Sequence, residues 1–365
     1  MPKCNALHNQ RYIDIDLRHQ PCCKFNIDST PVFKITDMSV NEYKNINWFK
    51  NLKSQMETGW HPGCHQCEDD EKNGISSLRE SYNRVFSGKE DSLEAIDIAI
   101  SNECNLTCKM CSNRHSSKWA SIHATNPIPE LSFPNIPINP TKIRIEDLFK
   151  DVDLSILTQV KYLGGEPFIT SDLYKLLEFL ESKNICHQVR FKTTTNLTYF
   201  PKKFIEKLKK FKELELGLSV DGVGELCNFI RTGSDWSTVS SVLDQWMDVK
   251  KEFFKLKPYL HHTSQAYNLH QFNEVKNFAE SRNLYFHFSV LHEPGYLSYS
   301  ALPKEYIQEL IDSGKLTDKN LINSAMGSKF NKEWFEKLKI VTKKTDAVLN
   351  TDIESVIPEL AKYLK

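Results

Sequence analysis

Three cysteines within eight residues, Cys104, Cys108 and Cys111, constrain this chain more than any other feature. They follow a short apolar run at residues 96–100, and their short spacers bring the three sulfurs to one side of a single loop. Converging thiolates are the ligands of metals and iron–sulfur clusters. A [4Fe–4S] cubane has one iron more than three cysteines can ligate. The remaining iron would be open to a substrate or cofactor, like the open coordination position of a catalytic metal.

The same three cysteines are also compatible with a zinc site. Zinc usually takes a fourth Cys or His ligand, and His115 follows closely after Cys111. The rest of the chain has to separate a zinc loop from a cluster with an open iron.

The composition limits the class of protein. The chain has 365 residues, 40% hydrophobic and 26% charged, which is typical of packed globular domains. Its 47 basic and 47 acidic residues cancel, so nothing indicates a nucleic-acid-binding surface. No apolar run approaches the roughly 20 residues that span a bilayer, and the N-terminus lacks the apolar core of a signal peptide. We expect a cytoplasmic protein without a membrane partner, whose 10 cysteines ligate metal rather than form disulfides.

Five further cysteines stand near the N-terminus. Cys4 opens the chain, Cys22 and Cys23 follow a proline, and Cys64 and Cys67 form a C-x2-C pair after a Gly/Pro turn. Cys4, Cys22, Cys64 and Cys67 together supply enough thiolates to close a complete metal site. The spacing alone does not separate zinc from an iron–sulfur cluster, and Cys23 is an alternative to Cys22.

From about residue 93 the sequence alternates strand-like and helix-like segments, interrupted by a Pro- and Asn-rich excursion at residues 125–141. This alternation predicts parallel strands joined by right-handed crossovers, with catalytic residues at the C-terminal ends of the strands. The strands are predicted at residues 96–101, 160–163, 188–195, 214–220, 259–265 and 285–291. Amphipathic helices are predicted beyond them, at residues 303–315, 328–342 and 350–364.

The C-x3-C-x2-C spacing resembles the signature of the radical S-adenosylmethionine (SAM) superfamily. Two motifs at predicted strand ends strengthen the resemblance, namely Gly164, Gly165 and Glu166 before a proline, and Ser219 with Asp221. The resemblance implies an α/β fold, a partial (β/α)6 TIM-like barrel. It further implies that Cys104, Cys108 and Cys111 hold a [4Fe–4S] cluster whose open iron binds SAM.

The resemblance also implies the residues that contact SAM. Glu166 is expected at the SAM amino group, Ser219 and Asp221 at the ribose, and Arg231 at the carboxylate, with a surface salt bridge as the alternative for Arg231. Gln265 and Asn268 are further candidates at the adenosine, where Asn268 is equally suited to cap a helix. The implied SAM contacts are Met110, Gly164, Gly165, Glu166, Asn196, Ser219, Asp221 and Arg231.

The first ninety residues resemble the SPASM/twitch auxiliary-cluster modules of radical SAM proteins, in the arrangement that places the module before the barrel. The resemblance implies a second [4Fe–4S] cluster, held by Cys4, Cys22, Cys64 and Cys67, which has no open iron and suits electron transfer. Three regions are therefore expected: a SPASM/twitch-like module at 1–90, a radical SAM core at 91–292 and a C-terminal helical extension at 293–365.

These resemblances imply an enzyme that reductively cleaves SAM to methionine and a 5′-deoxyadenosyl radical, which abstracts hydrogen from a substrate. They imply a flavodoxin-like or ferredoxin-like electron donor and a substrate that is a peptide, a sugar or another small molecule. The alternative is a non-catalytic iron–sulfur or zinc protein that carries electrons or binds a partner.

Overall fold

The computed structural model describes residues 1–90, 92–131 and 142–365, so the predicted excursion at residues 125–141 lies largely outside the described residues. The chain divides into two compact units. The first comprises Met1–Asn102, Asn139–Thr193 and Pro201–Glu215, and the second comprises Glu103–Ile138, Thr194–Phe200 and Leu216–Lys365. None of the helices in the described ranges is long and apolar enough to cross a membrane.

The described residues form a sheet of eight strands whose order is β2-β1-β3-β4-β5-β6-β7-β8. The strands are β1 Gln10–Ile13, β2 His19–Gln20, β3 Ala95–Ile98, β4 Gln159–Tyr162, β5 Arg190–Thr195, β6 Glu213–Ser219, β7 Leu256–Ser264 and β8 Tyr285–Val290. In the first unit, β1, β3, β4 and β5 are successively parallel, whereas β2 is antiparallel to β1. In the second unit, β7 and β8 are parallel, with His261 opposite His287.

The predicted α/β class with a parallel sheet is confirmed, and all six predicted strands are present as β3 to β8. The structure adds one feature that the sequence did not indicate. β1, from the N-terminal cysteine-rich region, pairs in parallel with β3 and places Tyr12 opposite Asp97. The N-terminal region therefore extends the sheet instead of forming a separate one.

Helices occupy most of the chain between and after the strands. They are α1 Ala6–Asn9, α2 Val40–Asn45, α3 Asn47–Thr58, α4 His65–Lys72, α5 Leu78–Val85, α6 Ser117–Thr125, α7 Ile145–Leu148, α8 Ser171–Ser182, α9 Lys202–Leu208, α10 Glu225–Ile230, α11 Trp236–Glu252, α12 Phe272–Glu280, α13 Lys304–Asp312, α14 Lys319–Gly327, α15 Lys332–Leu349, α16 Ile353–Val356 and α17 Pro358–Leu364. The C-terminal region has more helices than predicted, because α14 was not foreseen and a break before Pro358 separates α16 from α17.

The crossover helix α8 shows how the sequence forms these elements. The Thr170 hydroxyl accepts a hydrogen bond from the Leu173 N–H at 3.2 Å and so caps the helix N-terminus. Leu173, Leu176, Leu177 and Leu180 recur at helical spacing and are all buried. Burying a leucine side chain is worth about 1.5–3 kcal/mol, so this apolar face, more than helix propensity, holds α8 in place.

The N-terminal region has its own apolar core around α3. Phe49, Leu52 and Met56 face inward from this helix, and the Arg11 guanidinium lies 4.3 Å from the centre of the Phe49 ring. Gly63 is required by a close approach, since an added Cβ would lie 2.2 Å from the Phe25 ring. This contact fixes the backbone immediately before Cys64.

The C-terminal helices belong to the main core of the second unit. Leu338 of α15 and Leu360 of α17 are buried in one apolar cluster with Trp119 of α6 and Tyr267. Asn350 ends α15 in the left-handed conformation, with φ of 53°, which asparagine tolerates better than most residues. The extension is therefore an integral part of the unit that contains the cysteine loop.

One buried carboxyl predicts a measurable pH dependence. Asp97 of β3 is fully buried and accepts a hydrogen bond from Gln10 Nε2 at 2.6 Å. Burial raises the pKa of Asp97 from 3.8 to about 6, although Lys161 and Lys192 oppose the rise. Because the folded state then binds more protons than the unfolded state, this group's contribution to stability is lost as the pH rises through about 6.

We therefore expect Asp97→Asn to gain stability relative to the wild type as the pH rises from 5 to 7.5. At about 1.4 kcal/mol for each unit of pKa difference, the gain should be roughly 1–2 kcal/mol over this interval. Denaturant unfolding of both proteins at several pH values measures it. Parallel pH profiles for the two proteins would show that Asp97 is not a buried carboxyl with a raised pKa.

Candidate functional site

The three-cysteine loop at residues 104–111 is anchored from the side of α6. The Cys104 N–H donates to the Ser117 hydroxyl at 3.1 Å. The Trp119 indole N–H donates to the Cys108 carbonyl at 3.0 Å, and this indole is fully buried. The N-terminal turn of α6 therefore fixes the backbone at two of the three cysteines.

A second anchor comes from the C-terminal end of α10 and the residues directly after it. The Thr107 N–H donates to the Thr232 carbonyl at 2.9 Å, and the Lys109 N–H donates to the Ile230 carbonyl at 2.8 Å. These two bonds flank Cys108 in the sequence. The loop is thus held at both sides of its central cysteine, which is the local rigidity that a site with fixed ligand geometry requires.

Two thiols of this loop, those of Cys108 and Cys111, lie within hydrogen-bonding distance of each other. A hydrogen bond with Cys111 and then burial raise the pKa of Cys108 well above its usual value. Cys104 and Cys111 are partly exposed, whereas Cys108 is buried. Three cysteines on one rigid loop supply the residue types of an iron–sulfur ligand set, in which bound iron would supply the positive charge that stabilises the thiolates.

Arg231 lies beside these thiols as half of a buried ion pair. Its Nη2 atom is 2.7 Å from Asp221 Oδ2, and the Asp221 side chain is fully buried. Burial alone lowers the pKa of Arg231, but Asp221 and then the Cys108 thiol raise it above the usual value. Arg231 Nε is buried without a hydrogen-bond partner. A charged guanidinium with a spare donor next to the cysteine loop fits a carboxylate ligand, which is the group expected there.

Asp221 makes two contacts within the protein. One of its oxygens accepts a hydrogen bond from the Thr263 N–H at 2.8 Å, and the other is paired with Arg231. Both oxygens are therefore engaged within the protein, and the carboxylate orients Arg231. A direct contact between Asp221 and the SAM ribose stays a prediction, as does that of Ser219, which ends β6 and is buried.

The side-chain amides of Gln265 and Asn268, after the end of β7, differ in their hydrogen bonding. Asn268 is satisfied, because its Nδ2 donates to the Asp221 and Thr263 carbonyls and its Oδ1 accepts from the Gln265 N–H at 2.7 Å. Gln265 is fully buried, and neither side-chain atom has a hydrogen-bond partner among the described residues. Of the two candidates, Gln265 has the amide available to a ligand, and Asn268 shapes the turn.

Two other predicted SAM contacts also have structural roles in the second unit. Asn196 donates to Asn105 Oδ1 at 2.9 Å and accepts from the Thr198 N–H at 3.0 Å, which ties the segment after β5 to the cysteine loop. Met110 packs against the apolar core of the unit. Their contacts with SAM stay predictions.

The glycine motif lies in the first unit at the end of β4. Gly164 has φ of +94° and Gly165 has φ of +50°, and a Cβ added at Gly164 would lie 2.4 Å from the Ser101 carbonyl oxygen. Only glycine tolerates this turn without strain. The buried Glu166 accepts a hydrogen bond from the Phe168 N–H at 3.2 Å. The sequence thus forms a tight turn with an acidic side chain directly after the strand.

The four predicted auxiliary cysteines line one cavity in the first unit. Cys4, Cys22, Cys64 and Cys67 share this lining with apolar side chains, among them Phe25. Burial raises the pKa of Cys4 to about 11 and that of Cys64 to about 12, and the neighbouring thiols contribute in both cases. Four thiols in one lining fit either an iron–sulfur cluster or zinc.

Cys23 points elsewhere. It is absent from the lining of that cavity, and its thiol contacts the Tyr82 hydroxyl and lies near Lys161 and Asp97. The geometry therefore favours Cys22 over Cys23 as the fourth ligand.

As the side chains stand, no three Cys, His, Asp or Glu residues of the described ranges are grouped to hold a metal ion. His115, the alternative zinc ligand, contacts the Ser112 hydroxyl at 3.4 Å.

Sequence reasoning missed the residues that anchor the cysteine loop. Trp119 contacts the loop from inside the core, and the side chain of Lys109, itself a loop residue, pairs with Asp346. The sequence could have indicated the role of Lys109, because a charged residue between two ligand cysteines has to be solvated or paired. Trp119 carried none, because a buried tryptophan at helical spacing is ordinary core.

Substitution of Arg231 tests the carboxylate assignment. We expect Arg231→Gln to weaken SAM binding by about 10- to 100-fold, as hydrogen bonds to charged groups contribute about 1.5–3 kcal/mol. Calorimetric titration of SAM into the anaerobically reconstituted protein measures the affinity. The control is Arg282→Gln, which removes a more exposed ion pair with Asp244 in the same unit. Equal affinities for the two variants would remove Arg231 from the SAM site.

Comparisons with known proteins agree with this ligand chemistry. Residues 98–261 match the family model described as the radical SAM superfamily. Radical SAM cyclopropyl synthase TigE of Paramaledivibacter caminithermalis is 26% identical over 171 residues, which cover 45% of this chain and 35% of that protein. The 7,8-dihydro-6-hydroxymethylpterin dimethyltransferase of Methanocaldococcus jannaschii is 28% identical over 142 residues, which cover 38% of this chain and 24% of that protein. The matches thus span only about a third and a quarter of the length of these relatives.

The solved structures that the chain resembles include native anSMEcpe with bound AdoMet, at 19% identity and a TM-score of 0.43, covering 71% of this chain and 67% of that one. They also include Streptococcus suis SuiB bound to the precursor peptide SuiA, at 18% identity and a TM-score of 0.41, covering 74% of this chain and 52% of that one. The match to the family model supports an enzyme of iron–sulfur and SAM-binding character.

Proposed function

We propose that the protein is a radical SAM enzyme that reductively cleaves SAM and uses the resulting 5′-deoxyadenosyl radical to abstract hydrogen from a substrate. The observation that carries the proposal is the cysteine loop. Cys104, Cys108 and Cys111 lie on a segment that is anchored on both sides of Cys108, within the range matched by the family model. Three thiolates leave one iron of a [4Fe–4S] cluster to chelate SAM.

The chain's own residues would bind and orient SAM. Arg231, held by Asp221 and still carrying a buried unpartnered donor, pairs with the SAM carboxylate. Glu166, on the tight turn after β4, accepts from the SAM ammonium. Gln265 offers a buried amide to the adenosine. All three side chains are largely buried, so little side-chain ordering is needed when SAM binds.

We further propose that Cys4, Cys22, Cys64 and Cys67 hold a second [4Fe–4S] cluster in the N-terminal cavity. The support is that all four thiols line one small cavity, and that burial and then the neighbouring thiols, those of Cys67, Cys4 and Cys64 among them, raise the pKa of Cys22. Four cysteine ligands leave no iron for substrate, which suits exchange of an electron with a flavodoxin-like or ferredoxin-like donor or with a substrate radical. The substrate is proposed to be a peptide, a sugar or another small molecule.

The test is reductive cleavage of SAM by the anaerobically reconstituted protein. With dithionite as reductant, we expect 5′-deoxyadenosine and methionine to form in equal amounts, measured by liquid chromatography and mass spectrometry. Omission of dithionite should abolish both products. A reconstituted, SAM-binding protein that forms no 5′-deoxyadenosine would instead identify the non-catalytic iron–sulfur or zinc protein.

A further inference from the structure

Lys109 stands between two cysteines of the loop, yet its side chain is almost fully buried, with 1% exposed. Its Nζ atom is 2.6 Å from Asp346 Oδ1, 2.8 Å from Thr351 Oγ1 and 3.3 Å from Thr345 Oγ1. The ammonium also lies 4.2 Å from the centre of the Phe229 ring. An ammonium has three N–H donors, so each finds an oxygen acceptor in the protein.

Asp346 joins this ammonium to the C-terminal helices. It lies in the last turn of α15, and its second oxygen accepts a hydrogen bond from the Ile353 N–H at 3.0 Å, where α16 begins. The Thr351 hydroxyl donates to the same carboxylate at 2.6 Å. The turn between α15 and α16, with Asn350 in the left-handed conformation, is therefore built around the carboxylate that pairs with Lys109.

A buried ion pair is unusual inside an apolar core. Well-packed apolar residues stabilise a buried position as well as an ion pair or better, so a buried pair is weak evidence for stability and stronger evidence for fixed geometry. Here the fixed element is the cysteine loop itself. The Lys109 backbone N–H already donates to the Ile230 carbonyl at 2.8 Å, so the side chain and the backbone hold residue 109 from two directions.

We propose, on the basis of the proposed function, that Lys109 and Asp346 are positioning residues for the SAM-binding cluster. Through this pair, the turn between α15 and α16 sets the placement of Cys108 and Cys111. The C-terminal extension thereby becomes part of the catalytic centre's support, although neither residue touches the reacting atoms. The geometry of the cluster, and not only the stability of the fold, depends on the pair.

The experiment compares variants of the full-length, anaerobically reconstituted protein. Lys109→Met and Asp346→Asn each break the pair, and the double variant with Lys109→Met and Asp346→Leu removes both charges. Lys344→Met is the matched control, because Lys344 is also on α15 but pairs with Glu130 at a more exposed position. The first two readouts are the electron paramagnetic resonance (EPR) spectrum of the reduced cluster proposed at Cys104, Cys108 and Cys111, called the site cluster, and its midpoint potential. The other two are the unfolding temperature and the rate of SAM cleavage.

We expect both single variants to shift the EPR spectrum and the midpoint potential, and to slow SAM cleavage by about 10- to 100-fold, the range expected from a small misplacement of reacting groups. The double variant should recover the unfolding temperature of the wild type but keep the altered EPR spectrum and midpoint potential. The conservative variant Lys109→Arg should have a spectrum and a potential between those of Lys109→Met and the wild type. The Lys344→Met variant should match the wild type in every readout.

The proposal is overturned if the double variant regains the wild-type spectrum and potential together with its stability, since the pair would then act only on folding. It is also overturned if the single variants fold with unchanged spectra. If a single variant fails to fold, the double variant decides. Failure of the proposed function would differ, because the wild type itself would then not cleave SAM, whereas the spectra and potentials remain measurable.

Discussion

Cys108→Ala is expected to abolish cleavage of SAM, so that 5′-deoxyadenosine falls to the level formed without protein. Cys108 is the central cysteine of the loop, with backbone bonds on both sides of it and its thiol against that of Cys111. Two thiolates do not retain a [4Fe–4S] cluster in this loop, and without the cluster no electron reaches SAM. Anaerobic assay with dithionite and product quantification by mass spectrometry measure the effect.

The control for this variant is Cys186→Ala, which removes a buried thiol of the first unit outside both cysteine groups. We expect Cys186→Ala to keep SAM cleavage and the full iron content. Cys108→Ala should lose about four irons per chain, the content of one cubane cluster, and retain the others. Normal 5′-deoxyadenosine formation by Cys108→Ala would contradict the assignment of the loop.

Cys64→Ala is expected to have the second largest effect, lowering the iron content from about eight to about four per chain. Its thiol lines the N-terminal cavity together with Cys4, Cys22 and Cys67. The loss should also destabilise the N-terminal region, because a cluster that binds only the folded state contributes its binding free energy to folding. Iron and sulfide analysis and thermal unfolding measure the two effects.

Cys23→Ala is the matched comparison for Cys64→Ala. Cys23 faces the Tyr82 hydroxyl instead of the cavity, so we expect its replacement to leave the iron content unchanged. The opposite result, loss of iron with Cys23→Ala and none with Cys22→Ala, would exchange the two ligands. Four irons with one zinc in the wild type would show that the N-terminal cavity holds zinc.

The sequence predicted the features that depend on local pattern. The strands β3 to β8 followed from alternation of apolar segments, and the cysteine loop and the glycine turn followed from spacing at strand ends. The turn at Gly164 needs a positive φ and a close approach to the Ser101 carbonyl. Glycine is the residue that meets both requirements, so its place in the sequence indicates the turn.

Contacts between distant residues were not predictable in this way. Lys109 and Asp346 are 237 positions apart, and nothing local at residue 346 distinguishes it from a surface aspartate of an amphipathic helix. The pairing of β1 with β3 was also missed, because the sequence of a short strand does not indicate which strand lies beside it. The contacts of Asp221 with Arg231 and the Thr263 N–H were likewise not predicted.

The central claim is that one iron of the site cluster is reserved for SAM. Electron–nuclear double resonance on the reduced wild-type protein, with SAM carrying carbon-13 in its carboxylate or nitrogen-15 in its amino group, tests it directly. We predict hyperfine coupling of both labels to the cluster, and its loss in Cys108→Ala. A reduced site cluster whose spectrum is unchanged by SAM and shows no coupling to either label would contradict the claim.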